Sequence, residues 1–143
     1  MDHIAIMNKS WGFLSMIRNG DKTIESRWSI KRTAPWNKVN KGDIIYFRNS
    51  GELVTIKAEV SKVLQYSQLN INQIKVIINQ YGEHIGIKKT DYNKFTDLFK
   101  TKNYCVLIFI INITEIKPFS ISKKGFGLQS SWLSFNNIND MKL

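Results

Sequence analysis

Two short turns in the middle of the chain narrow its possible architectures more than any other feature. Lys41-Gly42-Asp43 turns into the apolar run Ile44-Ile45-Tyr46-Phe47, and Asn49-Ser50-Gly51 turns again before Val54-Thr55-Ile56-Lys57-Ala58-Glu59-Val60. That last run alternates cleanly, which places Val54, Ile56, Ala58 and Val60 inward and Thr55, Lys57 and Glu59 outward. Strands joined so tightly form an antiparallel hairpin. A doubly wound parallel sheet would need a crossover helix between them, so that class is excluded for the middle of the chain.

Around this hairpin the pattern predicts strands and peripheral helices. His3-Ile4-Ala5-Ile6-Met7 reads as a short central strand. Ser10 is placed to cap a helix carrying Phe13, Leu14 and Ile17 on its inner side, and Asn19-Gly20 supplies its stop. Ile71, Ile74, Ile77, Ile78 and Tyr81 repeat at helical spacing with Gly82 as the expected terminus. Thr90 is the expected cap of a third helix bearing Tyr92, Phe95, Leu98 and Phe99. The run from Tyr104 to Ile116 is the clearest strand, with Pro118 as its limit. Roughly five or six strands and about three helices make an α+β chain, a small curved sheet or partly closed barrel with helices at its periphery. At 143 residues it is long enough for one core, so residues 1–143 are expected to form a single domain.

Charge narrows the partners. Lys and Arg number 21 against 11 Asp and Glu, a formal net charge of +10. Eight basic and three acidic residues lie between Arg18 and Arg48, so half of the excess sits in that stretch. An anionic partner such as RNA, DNA or a nucleotide is favoured by this field. The single Cys105 and the two histidines, His3 and His84, point away from a disulfide or a structural zinc site, and no cofactor is implied. His84 as a catalytic base would need a partner that the sequence does not reveal. The N-terminus lacks a signal-like apolar run, and the stretch from Cys105 to Ile111 is far short of the roughly 20 residues of a membrane span, so a cytoplasmic protein away from membranes is expected. Protein partners are not legible.

The segment Gly20-Asp21-Lys22-Thr23-Ile24-Glu25-Ser26-Arg27 carries the chemistry. As a strand, residues 23–27 put Thr23, Glu25 and Arg27 on one face and Ile24 on the other. A face so charged does not belong in a core unless its partners are supplied. Lys22 offers a point charge and Arg27 a bidentate fork for phosphate, while Glu25 can accept from an exocyclic amine or a ribose hydroxyl. A structural pairing of Glu25 with Lys22 or Arg27 is compatible with those roles. Downstream, Trp28 and Trp36 interleave with Lys31 and Arg32, the combination expected where bases stack and phosphates are neutralised; either Trp can equally plug the end of a barrel. In the tail, Lys123-Lys124-Gly125-Phe126-Gly127 suggests a loop showing an aromatic beside two lysines, or an apolar plug.

These residues resemble the ASCH family, a branch of the PUA-like superfold, over most of the chain and chiefly over residues 4–64. The correspondence runs through the opening strand, Trp11 and its helix, the pattern Gly20-x-Lys22-x-x-Glu25-x-Arg27, the Lys41-Gly42-Asp43 turn and the strand over residues 54–60. The resemblance implies a PUA-like small curved mixed β-barrel with peripheral helices, and a cleft lined by the motif that binds RNA or a related nucleotide. Some similar proteins are small amidohydrolases of acylated cytidine that use a lysine, a threonine and a glutamate. Lys22 matches the lysine, while the threonine position holds Glu25 and their glutamate has no clear counterpart. Others have been assigned ribonuclease activity. Binding of nucleic acid is therefore the expected function, with Lys22, Glu25, Arg27, Trp28, Lys31, Arg32, Trp36, Lys123 and Lys124 as ligand contacts. A hydrolase using Lys22 and Glu25 is the alternative.

Overall fold

The computed structural model describes residues 1–143 apart from Lys124 and Leu128. Its strands are β1 (Asp2–Met7), β2 (Ile24–Ser29), β3 (Ile44–Asn49), β4 (Val54–Tyr66), β5 (Tyr104–Phe119) and β6 (Trp132–Phe135), and its helices are α1 (Phe13–Asn19), α2 (Ile71–Ile85) and α3 (Tyr92–Phe99). The strands form one curled half-barrel in the order β2-β5-β4-β3-β1-β6. Only β1 and β3 run parallel; every other neighbouring pair is antiparallel. The β3–β4 hairpin holds the predicted alternation, with Val54, Ile56, Ala58 and Val60 buried.

Burial on both faces explains why β1 reads as an almost unbroken apolar run. Ala5 and Met7 enter the main core beneath the helices, whereas Ile4 and Ile6 join a second cluster with Val54, Ile121, Leu133, Ile138 and Met141. Phe126 packs half-buried against that second cluster, so this aromatic of the tail serves as a plug. A buried polar rivet joins β1, β6 and Asp43 at the entry to β3. The Trp132 indole N–H donates to His3 Nδ1 at 3.3 Å, which leaves His3 Nε2–H to donate to Asp43 Oδ2 at 2.8 Å. Ser134 Oγ also lies 2.8 Å from Nδ1. Burial holds the His3 pKa below its ordinary value, against the pull of Asp43.

Several element ends differ from the sequence expectation. Ser10 does not cap α1, because its own amide and hydroxyl both donate to Asn8 Oδ1 within a 3-10 turn, Lys9–Trp11. Gly82 does not end α2, which continues to Ile85 and stops at Gly86, where φ is 102°. A Cβ on Gly82 would lie 2.8 Å from the Tyr92 ring, so this glycine marks a close approach between helices instead of a terminus. The start of α2 is a capping box formed by Asn70 and Gln73. Thr90 sits inside a 3-10 turn and α3 begins after Asp91, without a side-chain cap. Pro118 lies within β5, where the pairing register slips between Phe119 and Glu115; a bulge of this kind tolerates the missing N–H. Among the described residues no helix is long and apolar enough to cross a membrane.

Candidate functional site

The motif is built on a helix end. Gly20 closes α1 in the left-handed conformation, and the chain folds back so that the Lys22 amide donates to the Met16 carbonyl. That return lays residues 22 and 23 across the C-terminus of α2. The Thr23 amide donates to the His84 carbonyl at 2.8 Å, and Lys22 Nζ donates to the Ile85 carbonyl at 2.7 Å. The last carbonyls of a helix lack intrahelical partners and carry the negative end of its dipole, so an ammonium is well suited to them.

Lys22 is fully buried, and its N–H groups are spoken for. They reach the carbonyls of Ile85 and Ile24, the latter at 2.6 Å, and the Glu25 carboxylate at 3.2 Å from Oε1. The Phe13 ring lies 4.5 Å from the ammonium. Glu25 is also out of solvent, and its Oε1 accepts in addition from the Ser26 amide. Its Oε2 accepts from Arg27 Nη2 at 3.1 Å. Burial pushes the Glu25 pKa up, but the charges and hydrogen bonds of Lys22 and Arg27 outweigh it and hold the carboxyl below its ordinary value. Burial also lowers the Lys22 pKa, with Glu25 pulling the other way. Three carbonyl and carboxylate acceptors facing Nζ call for the ammonium form, and a charged pair is the state consistent with the geometry.

Arg27 closes the open side of the half-barrel. It stands on the edge strand β2, and its guanidinium crosses to the opposite edge. Nη2 donates to the Ile6 carbonyl on β1 at 3.2 Å, and Nη1 donates to the carbonyl and hydroxyl of Ser131, just before β6, both at 3.2 Å. The Trp132 ring lies 5.2 Å from the guanidinium carbon. Side-chain donors thus do what backbone pairing does in a closed barrel.

A cleft of about 710 Å³ opens above this closure. Glu25, Ser26, Arg27 and Trp28 form one part of its lining. The sequence reading therefore brings three of its candidates together there, and Lys123 joins them. Lys22 lies behind Glu25 and does not line the cleft, so its expected direct contact with phosphate has no path in this structure. Trp28 stacks on Phe99 of α3 at 4.3 Å and 7°, and its indole N–H donates to Ser26 Oγ. Lys31, Arg32 and Trp36 are absent from the lining. Arg32 sits 5.6 Å over the Tyr104 ring, and Trp36 meets the same ring edge-on at 5.0 Å. Lys124 lies outside the described residues. A smaller hollow of about 350 Å³ between Thr33-Ala34 and the tail shares Gln129, Ser130 and Ser131 with the cleft, so the basic loop adjoins it.

Among the charged residues and tryptophans of the lining, four were not anticipated. Lys9 and Trp11 come from the turn after β1, Arg48 from β3 and Lys102 from the turn after α3. Trp11 is 41% exposed, braced edge-on by Phe13 and Phe95. An exposed Trp within a 3-10 turn is a signal that sequence could have offered, had the turn been separated from α1.

Comparison with solved structures places the fold. The ASCH protein of Zymomonas mobilis matches with a TM-score of 0.67 at 16% identity, over 97% of this chain and 90% of that one. A Tyr→Phe variant of the same protein matches at 0.65 and 15%, over 94% and 90%. A hypothetical protein, PH0355, matches at 0.54 and 20%, over 81% of this chain and all of that one. No protein-family model matches the sequence, and no curated protein matches it. The likenesses establish an ASCH-like fold.

Proposed function

We propose that this ASCH-like chain binds RNA or a related nucleic acid or nucleotide in the cleft above Glu25 and Arg27. The observation that carries the reading is the lining itself. Five cationic side chains, Lys9, Arg27, Arg48, Lys102 and Lys123, surround one carboxylate, with Trp11, Phe13, Trp28 and Phe99 between them. The volume lies within the range of about 300–1,000 Å³ usual for ligand pockets. Cations with interleaved aromatics suit a ligand that carries both phosphate and a flat base.

The roles follow from which groups still have capacity. Trp28 is backed by Phe99 on one face, so a base stacked on it extends an existing pile of rings. Glu25 Oε1 already accepts twice and Oε2 accepts from Arg27, so in this nearly sealed carboxylate a base amine or ribose hydroxyl has only the remaining lone pair of Oε2 to meet at the cleft wall. Lys22 and Arg27 fix that carboxylate in place. Lys31 and Arg32 immediately precede Thr33 and Ala34 of the adjoining hollow and add to the positive field of that loop.

The alternative, a small hydrolase of a modified nucleoside such as N-acylcytidine or a ribonuclease, draws less support from the same geometry. A general base works best with a pKa near the working pH, whereas Glu25 is held low and Lys22 has no lone pair facing the cleft. Titration of single-stranded RNA, single-stranded DNA and modified nucleosides at fixed moderate salt tests the binding reading. Saturable binding that Trp28→Ala weakens is expected. Absence of binding across the panel contradicts it, and turnover abolished by Glu25→Gln would move the assignment to the hydrolase.

A further inference from the structure

We infer that Arg48 is a phosphate-binding group of the cleft, a role that the motif's own cations are too committed to fill. The inference rests on the nucleotide reading above and names the atom set that would hold the ligand's anionic part.

The cations of the lining differ in what they already hold. Arg27 donates to two carbonyls, a hydroxyl and Glu25. Lys9 pairs with Glu52 at 2.6 Å. Arg48 has no carboxylate within ion-pair reach among the described residues. Its Nη1 donates to the Glu52 carbonyl at 3.3 Å, a long bond, and its Nε is buried without any acceptor. A charged N–H removed from water and left unpaired is destabilising, and native structures seldom keep one without a use.

Its position makes the vacancy purposeful. Arg48 is the register partner of Ile6 across the parallel β1–β3 pair, and Ile6 supplies the carbonyl that anchors Arg27. The guanidinium is therefore held on a central strand next to the closure of the half-barrel, within the lining that Glu25 and Trp28 share. Of its nitrogens, Nη2 is neither bonded to the described residues nor sealed off like Nε, so an oxyanion in the cleft can meet it beside Nη1 on a planar group that lysine cannot copy.

The test compares wild type, Arg48→Met and Arg48→Lys, each checked for a native far-UV circular dichroism spectrum, against a short single-stranded oligoribonucleotide and against inorganic phosphate. Arg48→Met is expected to weaken oligonucleotide binding about tenfold to a hundredfold. It should also flatten the slope of log affinity against log salt by about 0.7, the loss of one phosphate contact. Arg48→Lys should restore the slope and only part of the affinity. Wild-type affinity and slope in Arg48→Met would overturn the assignment and leave the cleft reading standing. Phosphate binding that is lost in Arg48→Met, with no oligonucleotide binding by wild type, would keep the anion site and end the nucleic-acid reading. Binding of neither probe by wild type would end both.

Discussion

The ammonium of Lys22 and the carboxylate of Glu25 lie 3.2 Å apart with neither group open to solvent. Each satisfies the other, and Lys22 at the same time closes the C-terminus of α2. Removing one member strands a buried charge. Lys22→Met should therefore destabilise the fold by about 3–5 kcal/mol. Lys22→Met combined with Glu25→Gln should cost less than the two single changes added together. Urea denaturation of the three variants measures both quantities. This revises the sequence-level view of Lys22 as a ligand contact.

Glu25 also sets an acid limit. Its pKa in the folded protein lies below the ordinary 4.5, since the neighbouring cations overcome the effect of burial. A depressed carboxyl stabilises the fold fully above its unfolded pKa and loses that contribution as pH falls through the folded one. Stability should therefore decline with acidification below 4.5, and the decline should be shallower in Glu25→Gln. Melts recorded from neutral to acid pH give the comparison.

Arg27 ties two sheet edges that have no backbone ladder between them. Arg27→Lys keeps the charge but cannot span Ile6, Ser131 and Glu25 together. Hydrogen exchange should speed up at the Ile6 amide, which donates to the Ser131 carbonyl, and over residues 129–133. Exchange in the β3–β4 hairpin should stay unchanged.

Much of this was legible because it depends on local pattern. The hairpin follows from alternation between two turns, and Gly20 from its place after an apolar face. Convergence of Glu25, Arg27 and Trp28 follows from a single strand emerging beside the cleft. Arg48 was not legible, because in sequence it is an ordinary polar position at the end of β3. Only the parallel pairing with β1, an element some forty residues earlier, carries it to the site. Trp36 failed in the opposite sense. It lies close to the motif in sequence, yet it packs against Tyr104, the register partner of Ser29, and does not reach the cleft lining. Gly82 misled because a glycine that stops a helix and one that admits a neighbouring ring look alike in one dimension.

That glycine gives its own prediction. Alanine favours a helix over glycine by about 1 kcal/mol, but here the new methyl meets Tyr92 ring atoms at 2.8–3.0 Å. Overpacking costs about 1–3 kcal/mol, so Gly82→Ala should be net destabilising. Pairing it with Tyr92→Leu should recover part of the loss, as read by the denaturation midpoint.

In the proposed binding mode, Trp28 is the ring that takes the base. Replacing it with alanine should weaken ligand binding by about 1–3 kcal/mol, the usual worth of one stacked base. Trp28→Phe should retain most of the affinity. Isothermal titration with the oligonucleotide that wild type binds best separates the two variants.

Chemical-shift mapping of the wild-type protein during titration with a single-stranded oligoribonucleotide tests the central claim most directly. The indole N–H signals of Trp28 and Trp11 and the amides of Ser26, Arg27 and Arg48 should move together and saturate, while those of the β4–β5 ribbon away from the cleft stay still. Shifts confined to that ribbon, or none at ligand excess, would contradict the account.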